Sequence, residues 1–298
     1  MIYYLFVFLA VFCFTLQFIF TRLYSRTVRE SAVSALCMLF TVGVVGAILA
    51  FLGCGGRPAF SGVSLLMAAV FALVMIPYHT LGIKALALGS LSVYSTFMML
   101  GGMLLPFLYG ILLLEEAVTV GKLLGCLLLS ASILLQGLAT GRREEGRRGG
   151  IAFFLICLAI FAVNGMTGVI SQTHALSEGA VDEWSFTFYA SLLTAALALL
   201  LLGGVLLTKR HARQELSVMR SPRALGFAAL LGLCMNLGNF LILLAAPHIG
   251  ASIQFPLISG GTIALSAVAA LLLFREKPSR LEFTAILGAC LSTVLFAF

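Results

Sequence analysis

The sequence predicts an all-α integral membrane protein of ten transmembrane helices arranged as two inverted five-helix repeats. Three observations carry this. The 298 residues are 61% hydrophobic and only 10% charged, whereas a soluble domain carries roughly 25% charged residues. Apolar runs of about 20 residues, the length that crosses a hydrocarbon core of about 30 Å, follow one another with short loops and leave no room for a sizeable soluble domain. Segments of the second half also repeat those of the first at a fixed shift.

The first run, 2–21, has its nearest positive charge, Arg22, after the apolar stretch. A secretory signal has the opposite order, so this segment reads as a retained helix. Runs 31–53, 63–83, 91–113 and 119–139 complete a first repeat over 1–140. The stretch GRREEGRRGG at 141–150 reads as a charged cytoplasmic linker with mixed charge. Runs 151–171, 184–207, 224–245, 250–274 and 281–298 form the second repeat, 151–298.

Alternation of ten spans collects 16 of the 18 Lys and Arg on one side and leaves Arg57 and Lys122 on the other. The positive-inside rule makes the first side cytoplasmic and both termini extracytoplasmic. The net charge of +7 therefore reads as membrane orientation, with no nucleic-acid partner. Seven scattered cysteines show no metal or redox spacing and read as packing residues.

GSLSVYSTFMMLGG at 89–102 lies over IGASIQFPLISGG at 249–261 with a shift of 160, which pairs Ser92 with Ser252 and Gly101 with Gly261. The same shift pairs Glu116 with Glu276, each after a long apolar run. An odd number of spans per repeat makes the second copy enter from the opposite face, the inverted-topology arrangement that underlies alternating access.

On these features the chain resembles the drug/metabolite transporter superfamily, in its ten-helix EamA-type branch, over essentially its whole length. The resemblance rests on the 5+5 layout and on the segment closing each half: a helix rich in small residues, an acidic turn and a final apolar helix with glycine. The turns read Leu114-Glu115-Glu116 and Phe274-Arg275-Glu276-Lys277-Pro278. Glu116 and Glu276 match the family's acid, and their position at helix ends suggests a structural use, fixing the turn or the start of the next helix, while the glycine preceding the acid in the family is missing from both turns. Phe12-Cys13-Phe14-Thr15 replaces the aromatic-glycine opening of the first helix, and the intramembrane carboxylate of the four-helix relatives has no counterpart. The resemblance implies a secondary transporter that exports a small metabolite or drug-like solute. Short loops and the lack of a targeting extension suit a bacterial cytoplasmic membrane.

Polar side chains inside a bilayer are costly and usually face the bundle interior or a water-filled cavity. Asn164, Thr167 and Ser171 share one face of the sixth helix at i, i+3, i+7 spacing. Gln17 lies deep in the first helix, at a position corresponding to Thr167 under a shift of 150. Asn236 and Asn239 are again i, i+3, and the 160-residue shift pairs Asn239 with His79, beside Pro77. Tyr94, Ser95 and Gln254 extend the expected lining. The competing reading of each is an interhelical hydrogen bond, worth about 0.6 kcal/mol within membranes.

No acidic residue lies mid-membrane. The expected solute is therefore neutral or zwitterionic, such as an amino acid, since amides and hydroxyls supply both donors and acceptors. A proton is the candidate coupling ion, through His79, for which a satisfied helix-packing histidine is the commoner reading, and no cofactor is expected. An intramembrane enzyme would need a nucleophile and base or a metal set placed together. The four histidines are dispersed and no HExxH or GxSxG pattern occurs. A scaffold or receptor is the other alternative.

Overall fold

A computed structural model describes residues 2–29, 31–113, 119–143, 150–208, 215–216, 221–245, 248, 251–275 and 278–295. Within them lie ten α-helices: α1 (Ile2–Thr27), α2 (Ala32–Gly53), α3 (Gly62–Leu88), α4 (Leu91–Leu113), α5 (Val120–Arg143), α6 (Gly150–Leu176), α7 (Glu183–Thr208), α8 (Pro222–Ala245), α9 (Ala251–Phe274) and α10 (Arg280–Leu295). Eight contain stretches long and apolar enough to cross a membrane, and in α5 the apolar stretch Val120–Ser132 is shorter. Leu66, Leu200 and Leu207 are 68%, 73% and 84% exposed. Such surface would drive aggregation in water but matches hydrocarbon. The chain is a multi-pass membrane protein.

Helix starts follow side-chain chemistry, because the first N–H groups of a helix have no carbonyl partner within it. Ser31 accepts the Ser34 N–H at 3.2 Å while the Ser34 hydroxyl accepts the Ser31 N–H at 3.2 Å. At α10, Ser279 accepts from the Glu282 N–H at 3.2 Å, and Glu282 Oε2 accepts the Ser279 N–H at 2.6 Å, a reciprocal box. Ser90, Thr119 and Ser221 cap α4, α5 and α8 in one direction, their hydroxyls accepting the N–H of Val93, Lys122 and Ala224.

Three helices run past the apolar stretches that mark them. α1 continues to Thr27, α3 to Leu88 and α6 to Leu176. Arg22, expected in a loop, is thus helical, and it donates to the Leu86 carbonyl in the last turn of α3. A cation at a helix C-terminus satisfies a carbonyl left without its own amide.

The helices gather into two compact units, each drawing on both the first and the second half of the chain. Unit 1 comprises Met1–Ile19, Leu88–Gly165 and Leu237–Phe298, and unit 2 comprises Phe20–Ala87 and Met166–Asn236. In unit 1, α4 packs on α9, and α10 packs on α5 and α9. One core there gathers Leu100, Leu104, Leu129, Ile263 and Ile286, and another joins Val7, Ala10 and Phe14 to Ile258. In unit 2, α2 packs along α7. A Cβ on Gly43 would lie 2.8 Å from the Ala195 amide nitrogen, and one on Gly46 2.7 Å from the Ser191 hydroxyl. Only glycine admits this approach, the small-residue packing used between membrane helices. Tyr24, Met38, Ile83, Leu202 and Leu231 fill the core beside it.

Candidate functional site

Unit 2 contains a cavity of about 30 Å³ lined by Val42, Gly43, Phe71, Met75, His79, Ser191, Thr194, Met235 and Asn236. Helices α2, α3, α7 and α8 each contribute to its wall. Its walls carry methyls, thioethers and one aromatic ring, broken by four polar side chains and no charge. That volume holds about one water, which needs two to four polar partners to stay.

His79 is 3% exposed, and its Nε2 has no hydrogen-bond partner among the described residues. An unmet buried polar group costs about 1 to 3 kcal/mol and calls for an explanation such as a water, an ion or a functional role. The Tyr78 ring meets the imidazole edge-on at a centroid distance of 5.0 Å. Two residues earlier on α3, Pro77 lacks the N–H that would bond the Leu73 carbonyl.

The other polar groups of the cavity are anchored through one atom and open through another. Asn236 donates one amide hydrogen to the Gly232 carbonyl at 2.8 Å, which leaves its oxygen and second hydrogen for the cavity. Thr194 donates to the Ala190 carbonyl at 2.7 Å, so its oxygen is left as an acceptor. Together these groups present acceptors, an amide donor and an imidazole to a space with no fixed charge. A hydroxyl, an amide or water is the chemical group it suits.

His79 and Asn236 are the two sequence-predicted residues that share this cavity. Ser191 and Thr194 were missed, because a serine or threonine in a membrane helix commonly bonds its own carbonyl at i−4. The signal that could have found them is their i, i+3 spacing in Ser191-Leu192-Leu193-Thr194, which sets both on one face of α7.

The remaining predicted residues lie elsewhere. In unit 1 the Asn164 amide donates to the Met98 carbonyl at 2.5 Å and sits over Gly102. Gln17 is 5% exposed, and Tyr94, 2% exposed, meets the Phe18 ring edge-on at 5.7 Å. Ser95 shares a 2.6 Å hydrogen bond with Ser266. Asn239 is exposed, and it belongs to unit 1 whereas Asn236 belongs to unit 2. Thr167 is half-buried and Ser171 exposed, both in unit 2 while Asn164 is in unit 1. The side chain of Gln254 and both Glu116 and Glu276 lie outside the described residues.

A second histidine organises one end of unit 2. His174 Nε2 and the Ser64 hydroxyl are 2.9 Å apart, and Ser64 also accepts the Val181 N–H at 3.0 Å. The imidazole stacks on Phe186 at 4.0 Å. Burial pushes its pKa below the ordinary histidine value. Nearby, Ser185 donates to Asp182 at 2.6 Å and accepts the Ala59 N–H at 2.9 Å, tying the α2–α3 loop to the start of α7.

No family model and no curated protein matches the chain. Solved structures do match, 28 chains in all. One, described only as a crystal structure of a protein, superimposes with a TM-score of 0.57 at 18% identity, covering 98% of this chain and 94% of the other. At that identity the likeness is one of fold, shared over almost the whole of both chains.

Proposed function

We propose that the chain is a secondary transporter of the EamA-type drug/metabolite kind, built as inverted repeats. It moves a small neutral or zwitterionic solute, an amino acid or drug-like compound, outward across a bacterial cytoplasmic membrane by alternating access. The observation that carries this reading is the uncharged polar cavity in unit 2, where His79, Ser191, Thr194 and Asn236 meet among membrane-length helices. Polar groups kept inside a bilayer without mutual satisfaction are costly, and a solute that replaces its hydration with their hydrogen bonds accounts for their retention. The cavity as it stands holds about one water, so a working cycle must enlarge it.

The test is flux through vesicles containing the purified chain, loaded in turn with radiolabelled neutral amino acids, nucleosides and sugars. Saturable efflux absent from protein-free vesicles, and lost in His79→Gln combined with Asn236→Ala, supports the reading. Absence of flux for every class, with folded protein recovered from the vesicles, favours a scaffold or receptor.

A further inference from the structure

We propose that His79 is the protonation site of the cycle, and that taking up a proton there widens the unit 2 cavity and brings water to the buried ring. The proposal rests on the transporter reading and adds to it the identity of the coupling ion and the group that binds it. Three observations meet at this residue. Its side chain is buried, at 3% exposure, and its Nε2 has no partner among the described residues. The cavity it lines has room for about one water, too little for a metabolite but enough for the species that carries a proton in. The groups facing it from the other walls are Val42 and Gly43 on α2, Ser191 and Thr194 on α7, and Met235 and Asn236 on α8, none of them charged. The phenol of Tyr78, in contact on α3 itself, is the titratable neighbour.

The neutral ring has one N–H and one bare nitrogen. A proton arriving on water fills the bare nitrogen, both ring nitrogens become donors, and the same proton leaves to water when the ring is next reached from the other side. On uptake an N–H bond forms as an O–H bond of the hydronium breaks, and release to water reverses both. With the ring buried as it is here, the resulting cation would have hydroxyl and amide oxygens for company but no anion, and an unpaired buried charge is expensive. Any conformation that wets the cavity removes that cost. Proton binding and opening therefore favour each other, and by linkage the coupling is reciprocal. A proton gradient becomes a difference in how often each side opens.

The test needs no known solute. A cysteine is introduced by Thr194→Cys in the full chain held in lipid nanodiscs, with the seven native cysteines replaced by serine or alanine. Its reaction with a water-soluble maleimide is followed from about pH 8 to about pH 5, the range over which histidine changes charge, with rates corrected for the thiolate fraction measured on a free cysteine peptide. The expected result is labelling that rises as pH falls, by up to about tenfold per pH unit across the transition, a rise abolished by His79→Gln and retained in His174→Gln. Flat labelling in the His79-containing protein overturns the proposal without any reliance on the variant folding, as does a rise that persists in a folded His79→Gln protein. Should the vesicle assay find no solute flux while labelling still follows His79, the transporter reading fails and the proton-driven opening stands. Flux without a pH-dependent opening does the reverse: transport stands and His79 is not its proton switch.

Discussion

Units 1 and 2 both keep polar side chains inside membrane-length helices, but they use them differently. In unit 1 the pairs Asn164 with Met98 and Ser95 with Ser266 join helices, and glycines bring backbones close: a Cβ on Gly101 would fall on the Phe161 carbonyl. In unit 2 Thr194 and Asn236 are each tied by one anchor among the described residues, and with Ser191 and His79 they face a shared space. In unit 1 the Thr262 hydroxyl oxygen also has no partner among the described residues, but a neutral hydroxyl has no charge state to switch. Polarity within a bilayer thus marks either glue or a site. What separates the two is whether the hydrogen-bonding capacity is used up.

The contrast has measurable consequences. Gly101→Val puts a branched side chain against the Phe161 backbone, which cannot rotate away, and should cost about 3 kcal/mol. Thermal unfolding of the detergent-purified protein reads this as a marked drop in midpoint, and an unchanged midpoint would show that unit 1 is not built on backbone contact. His79→Gln should do the opposite, lowering flux about tenfold or more while leaving stability within about 1 kcal/mol. A variant that melts early but transports normally would make His79 another packing residue.

Asn164→Ala removes the bond to the Met98 carbonyl and should lose about 0.6 to 1.7 kcal/mol of stability, the range for interhelical bonds in membranes. Flux should suffer less than in Asn236→Ala, and a larger loss would return Asn164 to the solute path. The smallest effect is acid sensitivity through His174. Its folded-state pKa lies below the unfolded value, so the unfolded chain binds the proton first. Stability therefore falls as pH drops below about 6.5, and His174→Gln should flatten part of that slope in pH-dependent melting.

Most of the fold was legible because crossing hydrocarbon demands long apolar runs, and expected spans such as 91–113 reappear as helices. The ends of α1, α3 and α6 were not, because hydropathy reports where lipid stops while backbone hydrogen bonding continues through Arg22, Lys84 and His174. The site was half legible. His79 and Asn236 stand out as rare polar residues in apolar runs, but their meeting depends on how α2, α3, α7 and α8 pack. The 160-residue shift pointed to Asn239 as the correspondent of His79, whereas Asn236, one helical step earlier, lines its cavity. Spacing of three residues turns a helix by about 60° short of a full revolution, enough to put one asparagine on the cavity wall and the other on an exposed face.

The glycine seam between α2 and α7 sets a mechanical limit on unit 2. At Gly43 the two helices meet backbone to backbone, with no side chain to shorten, rotate or re-pack. Such a joint does not stretch, so α2 and α7 behave as a single strut. Any swelling of the cavity must come from the opposite walls, where Met75 on α3 and Met235 on α8 face it. Methionine is unbranched and has three soft torsions, which makes these two side chains the pliant face of an otherwise stiff chamber.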